Sequence, residues 1–447
     1  MLNRLAFIVI PLLFTLYLAH TLWASSAVEG VMIVLTVLLY GIALKDAGRT
    51  EAILNGVFLV GAIVLIRMSG AGFLEAVAGM TTMVNLILFI LFVPLISSPI
   101  KAYVPDVQDV LHHLKKKVSP LTLSEGFTFV MSLLINLSSV PLNTRIFKGD
   151  LPEEAYPRLI ALQNRAFGLA ILVTPVGAAI TLTVSHTGVS YLGLVPVQLG
   201  VAAAALLLSR VMVNRSVSVA ADVREEEERA VNRGRLVTMF LPFLLFLVVL
   251  VIFELRSPFG MMDIILMVVV PYSLIWGVLT GQVAQWKADA VSQVKGVTGF
   301  FRQFSVILIA GWFIASLNLY LDSGDALMYL AAFTGGVPVF VILVMIMTVM
   351  VGASLIGIHQ FVILVLFLEL FTSVEPFMPM PLLGSFLMIG MVAGMLLSPY
   401  SGLNLMVQGS FSGYSSAGIA RLQWRFMAVF LTGLVTVYSL ISMMVHT

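Results

Sequence analysis

The chain has 447 residues, 60% of them hydrophobic and only 10% charged, with a net charge of +2 and no cysteine. A soluble domain keeps roughly a quarter of its residues charged, so there is too little polar material here to cover a water-facing surface. The near-neutral balance offers nucleic acid no footprint, and the lack of cysteine excludes disulfides, thiolate metal sites and cysteine nucleophiles.

A lipid-facing surface removes the difficulty, and at roughly 20 residues per span the length suits one all-α, polytopic membrane bundle of about a dozen elements. The first apolar run, Leu5 to Trp23, follows Arg4. It reads as a span rather than a signal peptide, being long for such a segment and followed by a weak cleavage site at Ser25-Ser26. Further spans are expected near 29–44, 52–67 and 79–98. The polar stretch 99–120 carries His112-His113-Leu114-Lys115-Lys116-Lys117. The apolar stretch 121–144 is interrupted by Asn136, Ser138, Ser139, Pro141 and Asn143, and a broken span follows at 160–185 with Thr174-Pro175-Val176-Gly177 at its middle. Spans are expected near 191–212, 237–255, 260–279 and 303–320. Between the first two lies the mixed-charge run Arg224-Glu225-Glu226-Glu227-Glu228-Arg229, a solvated linker. The block 327–371 is apolar apart from Gly352-Ala353-Ser354 and Gly357-Ile358-His359-Gln360. A second broken span, 383–410, holds Ser398-Pro399-Tyr400-Ser401-Gly402, and the last span is 426–445.

The basic residues give this map an orientation. Let the N-terminus be cytoplasmic, and let 121–144 and 327–371 each return to the side they entered from. Of the 24 Lys and Arg, only Arg67 and Arg256 then fall outside the cytoplasmic segments, as the positive-inside rule requires. A full crossing by 121–144 would flip every later loop and destroy the bias. The expectation is eleven full spans and two re-entrant hairpins in the plasma membrane, with the C-terminus outside.

The order of elements repeats. Residues 1–185 form a first repeat of four spans, a hairpin (121–144) and a broken span (160–185). Residues 186–236 supply a span and the cytoplasmic linker, and 237–447 hold the remainder of a second, inverted repeat (hairpin 327–371, broken span 383–410) and the last span. Each break is a hydroxyl, a proline and then a glycine. Proline removes a backbone donor and breaks the helix, and glycine lets the chain leave helical dihedrals. In hydrocarbon such backbone survives only against protein or a water-filled cavity. Paired breaks in inverted halves, whose half-helix ends can meet an anion or a cation, point to a transporter site near the midplane.

This architecture resembles the ion transporter superfamily, and most nearly the divalent-anion/sodium symporters, over nearly the whole chain. Where members carry Ser-Asn-Thr at each hairpin tip to hold sodium and a substrate carboxylate, this sequence has Asn136-Leu137-Ser138-Ser139 and Gly352-Ala353-Ser354. Thr174-Pro175 and Ser398-Pro399 match the family's Thr-Pro type of break, with Asn404 shortly after the second. The resemblance implies a homodimer in which a part carrying the hairpins moves like an elevator against a scaffold.

The expected substrate-binding residues are Asn136, Ser138, Ser139, Asn143, Thr174, Pro175, Gly177, Ser354, His359, Gln360, Ser398, Pro399, Ser401, Gly402 and Asn404, with Na+ at Ser138, Thr174, Ser354 and Ser398. The competing reading of each hydroxyl and amide is a helix-to-helix hydrogen bond of about 1 kcal/mol or less. His359, an ionisable group at membrane depth, could carry protons. Arg165 reads as an interface anchor whose head snorkels to the lipid headgroups, and Glu125 as a helix cap. Glu369 and Asp263 read as interfacial, and Lys115-Lys116-Lys117 as a topology signal that touches anionic membrane lipid. No cofactor motif, HExxH, Walker A or GxSxG stands in a plausible context, so no enzyme is expected.

The function expected is secondary active transport of a small anionic organic solute, coupled to Na+ or H+. The alternatives are a proton-linked antiporter or inorganic-ion exporter of the same superfamily, and a membrane-embedded lipid-handling protein or enzyme built on His112-His113 with Asp106 and Asp109.

Overall fold

Lipid offers a backbone N–H or C=O no partner, so a chain this apolar must satisfy its peptide groups internally. The computed structural model describes residues 2–115, 117–213, 233–322, 325–373 and 377–446, and among them every regular element is helical. Ten helical segments of the described residues are long and apolar enough to cross a membrane, or eleven if one bent pair counts as a span. The protein is an all-α, multi-pass membrane protein. The Arg224–Arg229 linker lies outside the described residues.

The chain opens with α1 (Leu2–Trp23), α2 (Ser26–Leu44), α3 (Arg49–Ser69), the short α4 (Phe73–Ala78) and α5 (Val84–Phe92), which runs on as a tighter turn to Ser97. Next come α6 (Val104–Lys115), α7 (Pro120–Ile135), α8 (Ser139–Phe147), α9 (Tyr156–Ile171), α10 (Ala178–Thr187) and α11 (Tyr191–Val213). The second half holds α12 (Arg233–Arg256), α13 (Met261–Leu279), α14 (Val283–Gly296), α15 (Phe301–Asp322), α16 (Asp325–Gly336), α17 (Val339–Leu355) and α18 (Gln360–Thr372). It ends with α19 (Met380–Leu397), α20 (Gly402–Ser410), α21 (Ser416–Arg421) and α22 (Trp424–His446).

Side-chain spacing decides which face each helix buries. On α3, Ile53, Val57, Val60 and Val64 recur at helical spacing and are exposed, a stripe that suits lipid, while Leu54, Phe58 and Ala62 are buried. The buried stripe lies along α15, where Phe58 meets Phe313 with ring centroids 5.5 Å apart and Asn55 Nδ2 donates to Ser305 Oγ at 3.1 Å. α19 is the opposite case. In the segment it forms with α20, 83% of the apolar window is buried, against 22% for α3, so α19 is enclosed by protein. It packs against α17, α18, α10, α9 and α11. Small residues make that possible: a Cβ on Gly390 would meet Met350 Sδ at 2.5 Å, and one on Gly394 would meet the Ser354 hydroxyl.

The stretch 121–144 does fold back on itself, within the slightly longer pair α7 and α8. Asn143 Nδ2 donates to Ser124 Oγ at 2.9 Å and the Phe127 ring meets Phe147 at a tilt, centroids 5.9 Å apart, contacts that only antiparallel arms allow. The block 327–371 differs from the expected single hairpin. Its first part is a separate helix, α16, turned 120° from α17 at Val337-Pro338. Pro338 sits at the N-cap of α17 with ψ of 136°, outside the helical range, and its ring leaves no N–H to continue α16. The helix-turn-helix is then α17 and α18, with Gly357 at φ +99° in the turn, where a side chain would be strained. The short α4, the polar α14 and the short α21 had no counterpart in the sequence reading. α6 also folds inside the stretch 99–120 that the sequence marks only as polar. Lys101 pairs with Asp289 of α14 at 3.1 Å and Lys115 with Asp150 at 2.6 Å, so these basic residues are held by carboxylates.

Candidate functional site

Both broken spans are broken where the proline predicts. α9 ends at Ile171 and α10 starts at Ala178, with Pro175 between; α19 ends at Leu397 and α20 starts at Gly402, with Pro399 between. Each break is tied to the end of the helix-turn-helix that precedes it. Thr174 Oγ1 donates to the Leu133 carbonyl in the last turn of α7 at 2.9 Å. Ser398 Oγ donates to the Ser354 carbonyl in the last turn of α17 at 2.6 Å. The proline that frees a helix is thus preceded, in both cases, by a hydroxyl that docks the freed backbone on a second element.

Around the first break, Asn136 Nδ2 donates to the Val176 carbonyl at 3.1 Å. Asn136 holds φ at +49° with ψ at −133°, a conformation that favours glycine. Gly177 is the N-cap of α10, its N–H donating to Thr174 O at 2.9 Å, and the Pro175 carbonyl accepts from Thr181 Oγ1 at 3.0 Å. Around the second break, Ser401 caps α20 by accepting from the Asn404 N–H at 3.2 Å. Asn404 Nδ2 reaches back to the carbonyls of Ser398 at 2.9 Å and Leu396 at 3.1 Å. Tyr400, exposed, lies beside Gly357, so the turn of the second helix pair meets the second break.

The two regions meet through α9. Asn164 Nδ2 donates to Asn404 Oδ1 at 3.0 Å, and both residues are fully buried. Next to Asn164, Gln163 Oε1 accepts from Asn143 Nδ2 at 2.8 Å and from Thr144 Oγ1 at 3.1 Å. Three atoms of this cluster, Asn143 Oδ1, Gln163 Nε2 and Asn164 Oδ1, are buried without a hydrogen-bond partner among the described residues. Buried polar atoms are nearly always paired, so this grouping stands out. Gln163 and Asn164 were missed by the sequence reading. The signal was there: Gln163-Asn164-Arg165 is a polar triplet in an otherwise apolar span.

The expected residues fall into groups. Asn136 and Thr174 meet at the first break, and Ser354, Ser398, Ser401 and Asn404 at the second, with Pro175, Pro399, Gly177 and Gly402 framing the breaks. The Ser139 hydroxyl is 2.7 Å from that of Ser132, inside the hairpin. Ser138 is exposed at its turn. Ser354 Oγ donates to Met350 O at 3.0 Å. His359 caps α18, its Nδ1 accepting from Phe361 N at 3.3 Å, and Gln360 is buried at the first position of that helix. The four residues expected at Na+ divide into two locations, Ser354 and Ser398 at the second break and Ser138 and Thr174 around the first.

Beside the cluster lies an open cleft of about 520 Å3 between α8, the start of α9 and the end of α20, lined by Pro141, Thr144, Arg145, Lys148, Tyr156 and Ser410. Thr144 is its link to Gln163. Lys148 Nζ donates to Ser410 O at 2.9 Å and stands 4.9 Å from the Phe411 ring centroid. Arg145 is exposed and pairs with no described residue. The sequence reading used these two cations for topology alone. Thr174, Ser398 and Ser401 are buried away from this cleft.

Two readings of charged residues are corrected. Arg165 is no headgroup anchor: it is 4% exposed, donating to Gln423 Oε1 at 2.9 Å, Ser209 Oγ at 3.3 Å and Leu422 O at 3.3 Å, with its guanidinium over the Phe426 ring at 4.3 Å. Five rigid donors in a planar fork suit such a socket. Glu125 is no cap, since Ser119 caps α7; it is 1% exposed and pairs with Arg210 at 3.3 Å. Glu369 pairs with His186 at 3.3 Å, and Asp263 with the Tyr17 hydroxyl. No group of three or more His, Asp or Glu able to hold a metal occurs among the described residues. His113 Nδ1 is 2.9 Å from Asp109 O, and the His112 side chain lies outside the described residues.

No protein-family model matches the chain, and no curated protein sequence does. Solved structures do. The YdaH transporter of Alcanivorax borkumensis is 15% identical with a TM-score of 0.56, over 87% of this chain and 98% of that one. MtrF of Neisseria gonorrhoeae, described with a class of antimetabolite efflux pumps, is 12% identical with a TM-score of 0.53, over 86% of this chain and 94% of that one. This chain is a multi-pass membrane protein sharing its fold with these two transport proteins.

Proposed function

We propose that the chain is a secondary active transporter of a small anionic organic solute, built as two inverted repeats and working by elevator-like alternating access. The observation that carries this reading is the matched docking of the two breaks, Thr174 on Leu133 and Ser398 on Ser354, because two like devices in opposed spans are what an inverted repeat would build. The likeness to two transport proteins supports the same class. Arg145 and Lys148 in the open cleft favour an anion, and the unpartnered polar atoms of Asn143, Gln163 and Asn164 are groups a solute could satisfy. Coupling is to Na+, held by break carbonyls with Ser138, Thr174, Ser354 or Ser398, or to H+. Homodimerisation, the plasma membrane, a cytoplasmic N-terminus and an outside C-terminus complete the reading. The test is uptake of small carboxylates into membrane vesicles under an imposed Na+ or H+ gradient, with Ser398→Ala and Ser138→Ala beside the unaltered chain. Gradient-driven uptake weakened by Ser398→Ala supports the reading, and carboxylate flux indifferent to either gradient overturns it.

A second reading is proton-linked export. Glu125, buried in the hairpin arm α7 beside Arg210, is a buried carboxylate of the kind such a mechanism needs, and the likeness to a protein of an efflux class points the same way. Proton flux on addition of solute, lost in Glu125→Gln but not in His359→Ala, would select it; flux unchanged in Glu125→Gln would discard it.

A further inference from the structure

A second cavity lies away from the breaks, on the lipid-facing side of the hairpin arm. It has a volume of about 450 Å3 and is enclosed by α6, α7 and the start of α12, with Leu111, Leu114, Phe127, Val130 and Phe240 among its walls. Among the described residues its one charged lining residue is Arg210 of α11. Leu114 and Val130 are exposed at 39% and 40%, so the crevice opens sideways, where a membrane would meet it. Gly126 forms part of the wall, and a Cβ there would touch nothing within 4 Å, so the space runs up to the α7 backbone.

The charges beside this crevice do not balance. Arg210 gives only its Nε to Glu125, at 3.3 Å, and its side chain is 48% exposed. Ser209, next to it in the chain, takes Nη1 of Arg165, so two arginines converge on α11 where, among the described residues, the buried carboxylate is Glu125. One positive charge is left facing the crevice. At the end of α6, Lys115 is committed to Asp150, while exposed Lys117 adjoins the wall residue Val118.

We infer that this crevice binds one anionic glycerophospholipid, with an acyl chain between α6, α7 and α12 and the headgroup phosphate on Arg210. An apolar slot takes a chain by burying its methylenes, and clustered cations at the membrane surface favour anionic headgroups. The Nη groups of Arg210, which pair with no described residue, form the planar fork that matches phosphate. A zwitterionic lipid would fill the slot without meeting the extra charge, so headgroup selectivity is what the site adds to ordinary solvation by lipid.

The test is native mass spectrometry of the purified chain released from detergent containing equal phosphatidylglycerol and phosphatidylcholine. Retention of one phosphatidylglycerol per chain, about fivefold over phosphatidylcholine, is expected. Gly126→Leu fills the slot, keeps Arg210 and replaces a helical glycine, so it should fold and lose the retained lipid. Glu125→Gln combined with Arg210→Gln removes the charge without orphaning its partner and should make retention equal for the two lipids. Equal retention in the unaltered chain, or a phosphatidylglycerol preference that survives both variants, overturns the inference.

Discussion

Asn164 and Asn404 meet at 3.0 Å, one amide from each broken span, and neither has any accessible surface. Asn404 also holds its own break together through Ser398 O and Leu396 O. Asn164→Ala should therefore uncouple the spans and leave the second break intact, lowering stability by about 1 kcal/mol. Asn404→Ala should lower the melting temperature further, since it also removes the bonds to the Leu396, Ser398 and, at 3.5 Å, Met395 carbonyls. Thermal melting in detergent orders the two, and an equal loss would contradict the assignment.

The docking hydroxyls make a matched pair of predictions. Thr174→Val and Ser398→Ala each remove one docking bond, to the part-buried Leu133 O and to the buried Ser354 O, which keeps the Gly357 N–H as its donor, at a cost of about 1 kcal/mol. Transport should fall by about tenfold in each, the equivalent of roughly 1.4 kcal/mol on a rate. A loss confined to one of the two would mean that the breaks are not equivalent.

Close packing along α19 predicts a collision and its rescue. Gly394→Ala should drive a methyl into the Ser354 hydroxyl and reduce the yield of folded protein; adding Ser354→Gly should restore it. Gly402→Ala, where nothing lies within 4 Å, should be tolerated. Size-exclusion profiles of the variants report the outcome.

Arg145 tests the cleft. It is exposed and unpaired among the described residues, so Arg145→Gln should leave melting unchanged and raise KM for an anionic solute by about tenfold at low salt, less at high salt. Lys148→Gln should lower the melting temperature as well as raise KM, because Lys148 also holds Ser410 O.

Much of this was legible in the residues. Proline and glycine mark places where a membrane helix cannot continue, so Thr174-Pro175 and Ser398-Pro399 located both breaks. Polar residues at short spacing in an apolar run marked the turn at Asn136. The corner at Pro338 was not separated from the apolar block around it, since α16 and α17 are both lipid-compatible and only the N–H missing from Pro338 distinguishes them. Arg165 was misread because a sequence places an arginine at a depth but not on a face. The face, set by Gln423, Ser209 and Phe426 from distant segments, decides between headgroup and socket. Gln163 and Asn164 were overlooked for a related reason, since their partners Asn143 and Asn404 come from other helices.

The absence of cysteine makes the most direct measurement simple. Ser138→Cys places one thiol at the exposed turn of the first hairpin, and an impermeant maleimide applied to one face of sealed vesicles, then the other, reports which side it can reach. Alternating access predicts modification from both faces, with the ratio shifted by an imposed ion gradient or by solute. Modification from one face only, at a rate indifferent to gradient and solute, would contradict the account.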